Sequence, residues 1–135
     1  MGGEDSLLVA ARTALAAAYA PYSGLRVGAA LRDVTGRIHT GANVENASFG
    51  LTMCAERVVV GVAVSAGATQ FERLVIASER EPPVAPCGAC RQVLAEFGTH
   101  LRVEAVGPRS IRQWQLEELL PHPFGPRDLP DLESQ

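Results

Sequence analysis

The chain has 135 residues, 47% of them hydrophobic and only 5% aromatic, with a formal net charge of −3. That length suits one domain, since domains most often hold about 100–150 residues, and the acidic balance lacks the basic footprint of nucleic-acid binders. All 12 basic residues are arginine, which excludes lysine Schiff-base chemistry. The three cysteines, Cys54, Cys87 and Cys90, are an odd number and a poor start for a disulfide framework. The opening "MGGEDSLLVA" is not a secretory signal. No apolar run approaches the roughly 18 residues that suggest a membrane span. These features point to the cytoplasm, where thiols more often bind metals or catalyse than form bridges.

In chain order, Ser6 is expected to cap a first helix whose apolar stripe is Leu7, Leu8, Ala11, Ala14, Leu15 and Ala18, stopped by Pro21. "PYSG" reads as a turn. Two strands follow, joined at Thr35-Gly36, with Gly28 and Gly41 marking bulges or close backbone approaches. From about Met53 to about Ala66 the valine-rich segment could pass for a buried strand, but its length and the clearer strand after it favour a helix. That strand is Phe71 to Ser78. A proline-rich loop leads to a third helix, "CGACRQVLAEFG", ended by Gly98. "LRVEAVG" is another strand, and residues 114–120 suggest a last short helix. The tail from Pro121 holds four prolines in 15 residues and should be irregular. With no repeat and no linker, residues 1–135 read as one three-layer α/β domain.

Four side chains carry potential chemistry. The spacing of Cys87 and Cys90 lets both sulfurs face one way. Alone, it would serve a redox dithiol or half a zinc site equally well. Cys54 tips this toward zinc, with three protein ligands and a fourth position left for water. His39, His100 and His122 lie far from the cysteines and read as ordinary surface histidines. Three thiolates around Zn²⁺ leave a net negative charge, which two helix N-termini could offset. Arg57 and Arg91 are candidates to donate to the sulfurs. Glu56, two residues from Cys54, could move a proton between metal-bound water and substrate; an acid in a helix's first turn is otherwise a routine dipole partner.

The segments "AYAPYS", "VGAAL", "GANVENASFGLTMCAER", "PCGACRQVLAEF" and "LLPHPF" span residues 18 to 124. In that order the chain resembles the small homotetrameric zinc-dependent cytidine deaminases, whose general signature is a (His or Cys)-x-Glu segment followed by Pro-Cys-x-x-Cys. The resemblance implies a three-layer α-β-α sandwich on a mixed five-stranded sheet. It implies one Zn²⁺ per subunit, held by Cys54, Cys87 and Cys90, with Glu56 as the proton shuttle. It places Asn43, Glu45, Ala47 and Phe49 at the nucleoside and the Ala55 N–H on the pyrimidine O2. Phe124 would pack over the base from a neighbouring subunit. The implied substrates are free cytidine and deoxycytidine, without nucleic acid or membrane. The chain departs from the family pattern at Leu25, where an aromatic is common, and at Phe49, where a tyrosine is. A looser pocket accepting N4-substituted cytidines or a nucleoside antibiotic is therefore a second reading. A polynucleotide-editing deaminase fits the acidic chain less well. A zinc-stapled module without activity would leave Glu56 unexplained.

Overall fold

The turn expected at Thr35-Gly36 is present in the computed structural model, which describes residues 5–130. Gly36 takes φ 94°, a left-handed conformation that suits glycine. It joins β1 (Val27–Asp33) to β2 (Ile38–Ala42). The remaining elements are α1 (Ser6–Ala14), α2 (Ala55–Ser65), β3 (Phe71–Ser78), α3 (Gly88–Ala95), β4 (Arg102–Val106), β5 (Ile111–Gln115) and α4 (Leu116–Leu119). The strands form one mixed sheet in the order β2-β1-β3-β4-β5. β1 runs antiparallel to β2 and β3, β3 is parallel to β4, and β5 returns antiparallel to β4. The parallel pair requires a crossover, which α3 supplies.

Strand alternation sorts the core into two clusters. Ala29, Leu31, Leu74, Ile76 and Val103 pack with Ala55, Val59 and Ala63 of α2 and Leu94 of α3. Ala30, Val75, Ala77 and Val106 pack on the opposite face against Leu7 and Ala11 of α1. This is the expected three-layer α-β-α arrangement. The two strand glycines set how closely the helices lie. A Cβ at Gly28 would come 2.3 Å from the Ala11 carbonyl oxygen, and one at Gly41 would come 2.8 Å from the Val59 nitrogen. Each helix backbone therefore rests directly on the sheet, and Gly41 fixes the height of α2.

Three local expectations differ. Asp5, not Ser6, caps α1, with its Oδ1 accepting the Leu7 and Leu8 N–H groups at 3.1 and 3.4 Å; a carboxylate also suits the positive helix end. The helix finishes at Ala14 with a 3₁₀ turn over Leu15–Ala17, well before Pro21. Ala18 is already extended, and Tyr19 bridges to Val44. Trp114 and Gln115 belong to β5, and only Leu116–Leu119 are helical. Past Leu120, among the described residues, the one regular piece is a 3₁₀ turn at Pro126–Asp128. The first four residues of the opening segment and residues 131–135 of the tail lie outside the described residues.

Candidate active site

Both cysteine segments begin helices at the same side of the sheet. Cys54 caps α2 and Cys87 caps α3, each in an extended conformation and without a side-chain capping bond. Cys90 follows in the first turn of α3 and is buried. The three sulfurs converge: Cys54 to Cys87 is 3.9 Å, Cys87 to Cys90 is 3.4 Å, and all lie within 4.8 Å of one another. Tetrahedral zinc with bonds of about 2.3 Å sets its ligand sulfurs about 3.8 Å apart. The two shorter separations bracket that value, so the donor set suits zinc, and the free N–H groups at two helix starts supply positive potential beside it. No disulfide competes, because all three cysteines are free.

The electrostatics agree. The Cys90 thiol, donating to Cys54, and the nearby Arg57 guanidinium lower Cys54 to about 5. The same thiol hydrogen bond, with burial, pushes Cys90 strongly up. Arg57 holds the Thr52 carbonyl at 3.1 Å and the Cys54 sulfur at 3.8 Å. This contact puts a guanidinium beside the sulfur that the sequence pairs it with. Arg91 does not share this contact. Its Nε donates to the Pro86 carbonyl at 2.8 Å and its Nη1 to the Leu119 carbonyl at 2.9 Å, so it braces the loop entering α3. These two carbonyls, on the loop before α3 and at the end of α4, draw the guanidinium to themselves.

Glu56, the second residue of α2, is 5% exposed. Burial pushes its carboxyl up to about 7, with the Cys54 charge adding to the shift. A carboxyl poised there can both accept and return a proton near neutral pH. It lines a cavity of about 200 Å³ together with Cys54, Cys87, Ala55, Asn43 and Glu45. Leu25, Val27, Ile76, Val84 and Ala85 make the apolar walls. Ala55 is the first residue of α2, so its N–H has no partner inside the helix.

Asn43 and Glu45 also brace the segment before β1. Asn43 Nδ2 donates to the Leu25 carbonyl at 2.9 Å, and its Oδ1 accepts the Val27 N–H at 2.9 Å. Glu45 accepts from the Tyr22 and Ser23 N–H groups and from the Ser23 hydroxyl. Ala47, Phe49 and Phe124 do not line the cavity within one chain. Phe49 is 75% exposed and meets the Tyr22 ring edge-on at 6.1 Å. Phe124 is 58% exposed in the tail, its carbonyl held by Gln92 Nε2 at 2.7 Å.

One histidine departs from expectation. His39 is buried, its Nε2 donating to Asp33 Oδ2 at 2.9 Å at the far end of the β1–β2 hairpin. His100 and His122 are exposed as expected. Sequence reasoning also passed over Ser23 and Thr52, which line the cavity. Thr52 additionally tethers Asn46 and Arg57.

A cysteine triad beside a buried carboxyl, in a cavity on a three-layer α/β sheet, defines a zinc-dependent hydrolase site. The family model described as "Cytidine and deoxycytidylate deaminase zinc-binding region" matches residues 3–105. A probable cytidine deaminase of Dictyostelium discoideum is 45% identical over 126 residues, which cover 93% of this chain and 86% of that protein. The cytidine deaminase of Sporosarcina psychrophila is 40% identical over 127 residues, 93% of each chain. The crystal structure of cytidine deaminase from Burkholderia pseudomallei superposes with a TM-score of 0.86 at 42% identity, covering 91% of this chain and all of that one. The chain belongs to the zinc-binding cytidine and deoxycytidylate deaminase family.

Proposed function

We propose that the protein hydrolyses cytidine and 2′-deoxycytidine to uridine and 2′-deoxyuridine, releasing ammonia. The observation that carries this reading is Glu56, buried in the wall of the same cavity as the cysteine cluster. Cys54, Cys87 and Cys90 would hold the zinc, which would supply Lewis-acid activation of a water. The protein's own residues do the rest. Glu56 takes a proton from the attacking water, gives it to N3 of the pyrimidine, and carries the next to the departing amine. One water adds at C4 and one ammonia leaves, so the carboxylate ends as it began. The Ala55 N–H holds the pyrimidine O2, while Asn43 and Glu45 hold the sugar.

Three other assignments rest on the family resemblance: Ala47 and Phe49 stand near the nucleoside, and Phe124 completes a neighbour's pocket. Arg57, 3.8 Å from the Cys54 sulfur, offsets the thiolate charge. The exposed side of α2, with Val62 43% exposed beside Met53 at 43%, supports assembly of the chain into a homotetramer. Among the described residues no helix is long and apolar enough to cross a membrane. Three free thiols suit the cytoplasm, and the reaction suits recovery of free pyrimidine nucleosides.

Purified protein loaded with one zinc per chain should release ammonia from cytidine and deoxycytidine in step with uridine formation. N4-alkylated cytidines belong in the same assay, because Leu25 leaves the cavity wall without a ring. Turnover of those alone, with cytidine untouched, would transfer the assignment to another aminopyrimidine nucleoside.

A further inference from the structure

The turn ahead of β1 is built around Gly24, at φ 73°, whose N–H returns to the Ala20 carbonyl at 3.0 Å. Glycine adopts this left-handed conformation without strain. The doubled-back chain gives the Ser23 hydroxyl two partners. It accepts the Leu25 N–H at 3.0 Å and donates its only proton to Glu45 Oε2 at 2.5 Å. Glu45 Oε1 meanwhile accepts the Tyr22 and Ser23 N–H groups at 2.9 and 3.1 Å.

A carboxylate offers about four lone-pair directions, two on each oxygen. Oε1 has both engaged. Oε2 has one engaged by Ser23 and one open. Asn43 has spent one of its two amide protons on the Leu25 carbonyl, which leaves the other. Ser23, Asn43 and Glu45 line the same cavity. One open acceptor and one open donor on neighbouring side chains match a single hydroxyl, which donates to the first and accepts from the second. The Ser23 hydroxyl also lowers the Glu45 pKa, so the carboxylate stays ionised as an acceptor.

We propose that Ser23 is a positioning residue for sugar recognition: its hydroxyl fixes Glu45 Oε2 so that its one open acceptor direction serves the substrate's 3′-hydroxyl. This rests on the nucleoside reading of the cavity, with Asn43 and Glu45 on the sugar. Ser23 thereby ties the cavity wall at Leu25 to the carboxylate that reads the ribose.

The test compares kcat/KM for cytidine and 3′-deoxycytidine in wild type, Ser23→Ala and Ser23→Thr, each with zinc content measured. Wild type should prefer cytidine. Ser23→Ala should lower kcat/KM for cytidine about tenfold, mainly through KM, as loss of a hydrogen bond to a charged group implies. It should leave 3′-deoxycytidine nearly unchanged, so the preference shrinks, and Ser23→Thr should restore it. An equal loss on both substrates, or an unaltered preference, overturns the role of Ser23. Equal wild-type turnover of the two substrates overturns the Glu45 contact beneath it. No wild-type turnover of cytidine overturns the deaminase reading itself.

Discussion

An acidic side chain in the first turn of a helix ordinarily stays in water and faces the helix dipole. Glu56 is instead 5% exposed, and burial holds its carboxyl near neutrality. Its candidacy was legible in the sequence only because Cys54 stands two positions before it and Cys87-x-x-Cys90 offers two more thiols. His39 illustrates the opposite case. Between Ile38 and Thr40 it reads as polar surface, yet it pairs in register with Leu31 and shares that residue's buried face. Alternation along the hairpin was the available signal. Its partner Asp33 accepts from the Thr35 hydroxyl at 2.5 Å, the Thr35 and Arg37 N–H groups, and His39. The Thr35 hydroxyl, followed by His39, holds the Asp33 carboxyl far below the usual range. A lowered folded-state pKa contributes stability that is present above the ordinary carboxylate pKa of about 4 and is lost as pH falls below it. Asp33→Asn should therefore lower the melting temperature at pH 7. The gap from wild type should narrow steadily from about pH 4 downward. A gap that stays constant to pH 2 would mean the Asp33 charge contributes nothing.

Among the elements, those with a buried face were readable and the exposed ones were not. β3 carries an apolar run from Leu74 to Ala77, and both strand glycines mark the close approaches that glycine in a strand suggests. β5 is an edge strand, "IRQWQ", with only Trp114 partly buried, so it offers no apolar alternation to recognise. Trp114 was drawn into the helical pattern of the residues after it. The end of α1 was hidden because alanines continue past Ala14. Pairing of Tyr19 with Val44 extends the chain there, and propensity does not record it. The glycines yield a paired prediction. Gly28→Ala and Gly41→Ala should each destabilise the fold by about 1–3 kcal/mol in urea denaturation, the usual cost of overpacking. Gly28 faces α1 on the layer away from the cavity, so the surviving folded protein should keep its kcat and KM. Gly41 faces α2, which carries Glu56 and is capped by Cys54, so that substitution should also reduce kcat. Equal kinetic effects would contradict the separation of the two layers.

For the molecule as a whole, the cysteine cluster and Glu56 assemble within one chain, whereas part of the expected substrate shell does not. Phe49, Leu51 and Phe124 stand 75%, 66% and 58% exposed. Assembly into an oligomer would cover such side chains, and their contacts would then lie between copies, outside the reach of periodicity along one chain. A homotetramer predicts a light-scattering mass about four times the 14.3 kDa of the chain. Phe124→Ala should then raise KM for cytidine about tenfold at unchanged mass, in line with the loss of one aromatic–base stack. A monomeric mass with full activity would leave Phe124 outside catalysis. The assignment of the site itself is tested most directly by Glu56→Gln, assayed for bound zinc and for ammonia release from cytidine. We expect zinc to remain near one per chain, because the three thiolates are untouched, while turnover falls by roughly 10²–10⁴-fold, the usual worth of a positioned acid–base group. A zinc-loaded Glu56→Gln protein that deaminates cytidine at close to the wild-type rate would contradict it.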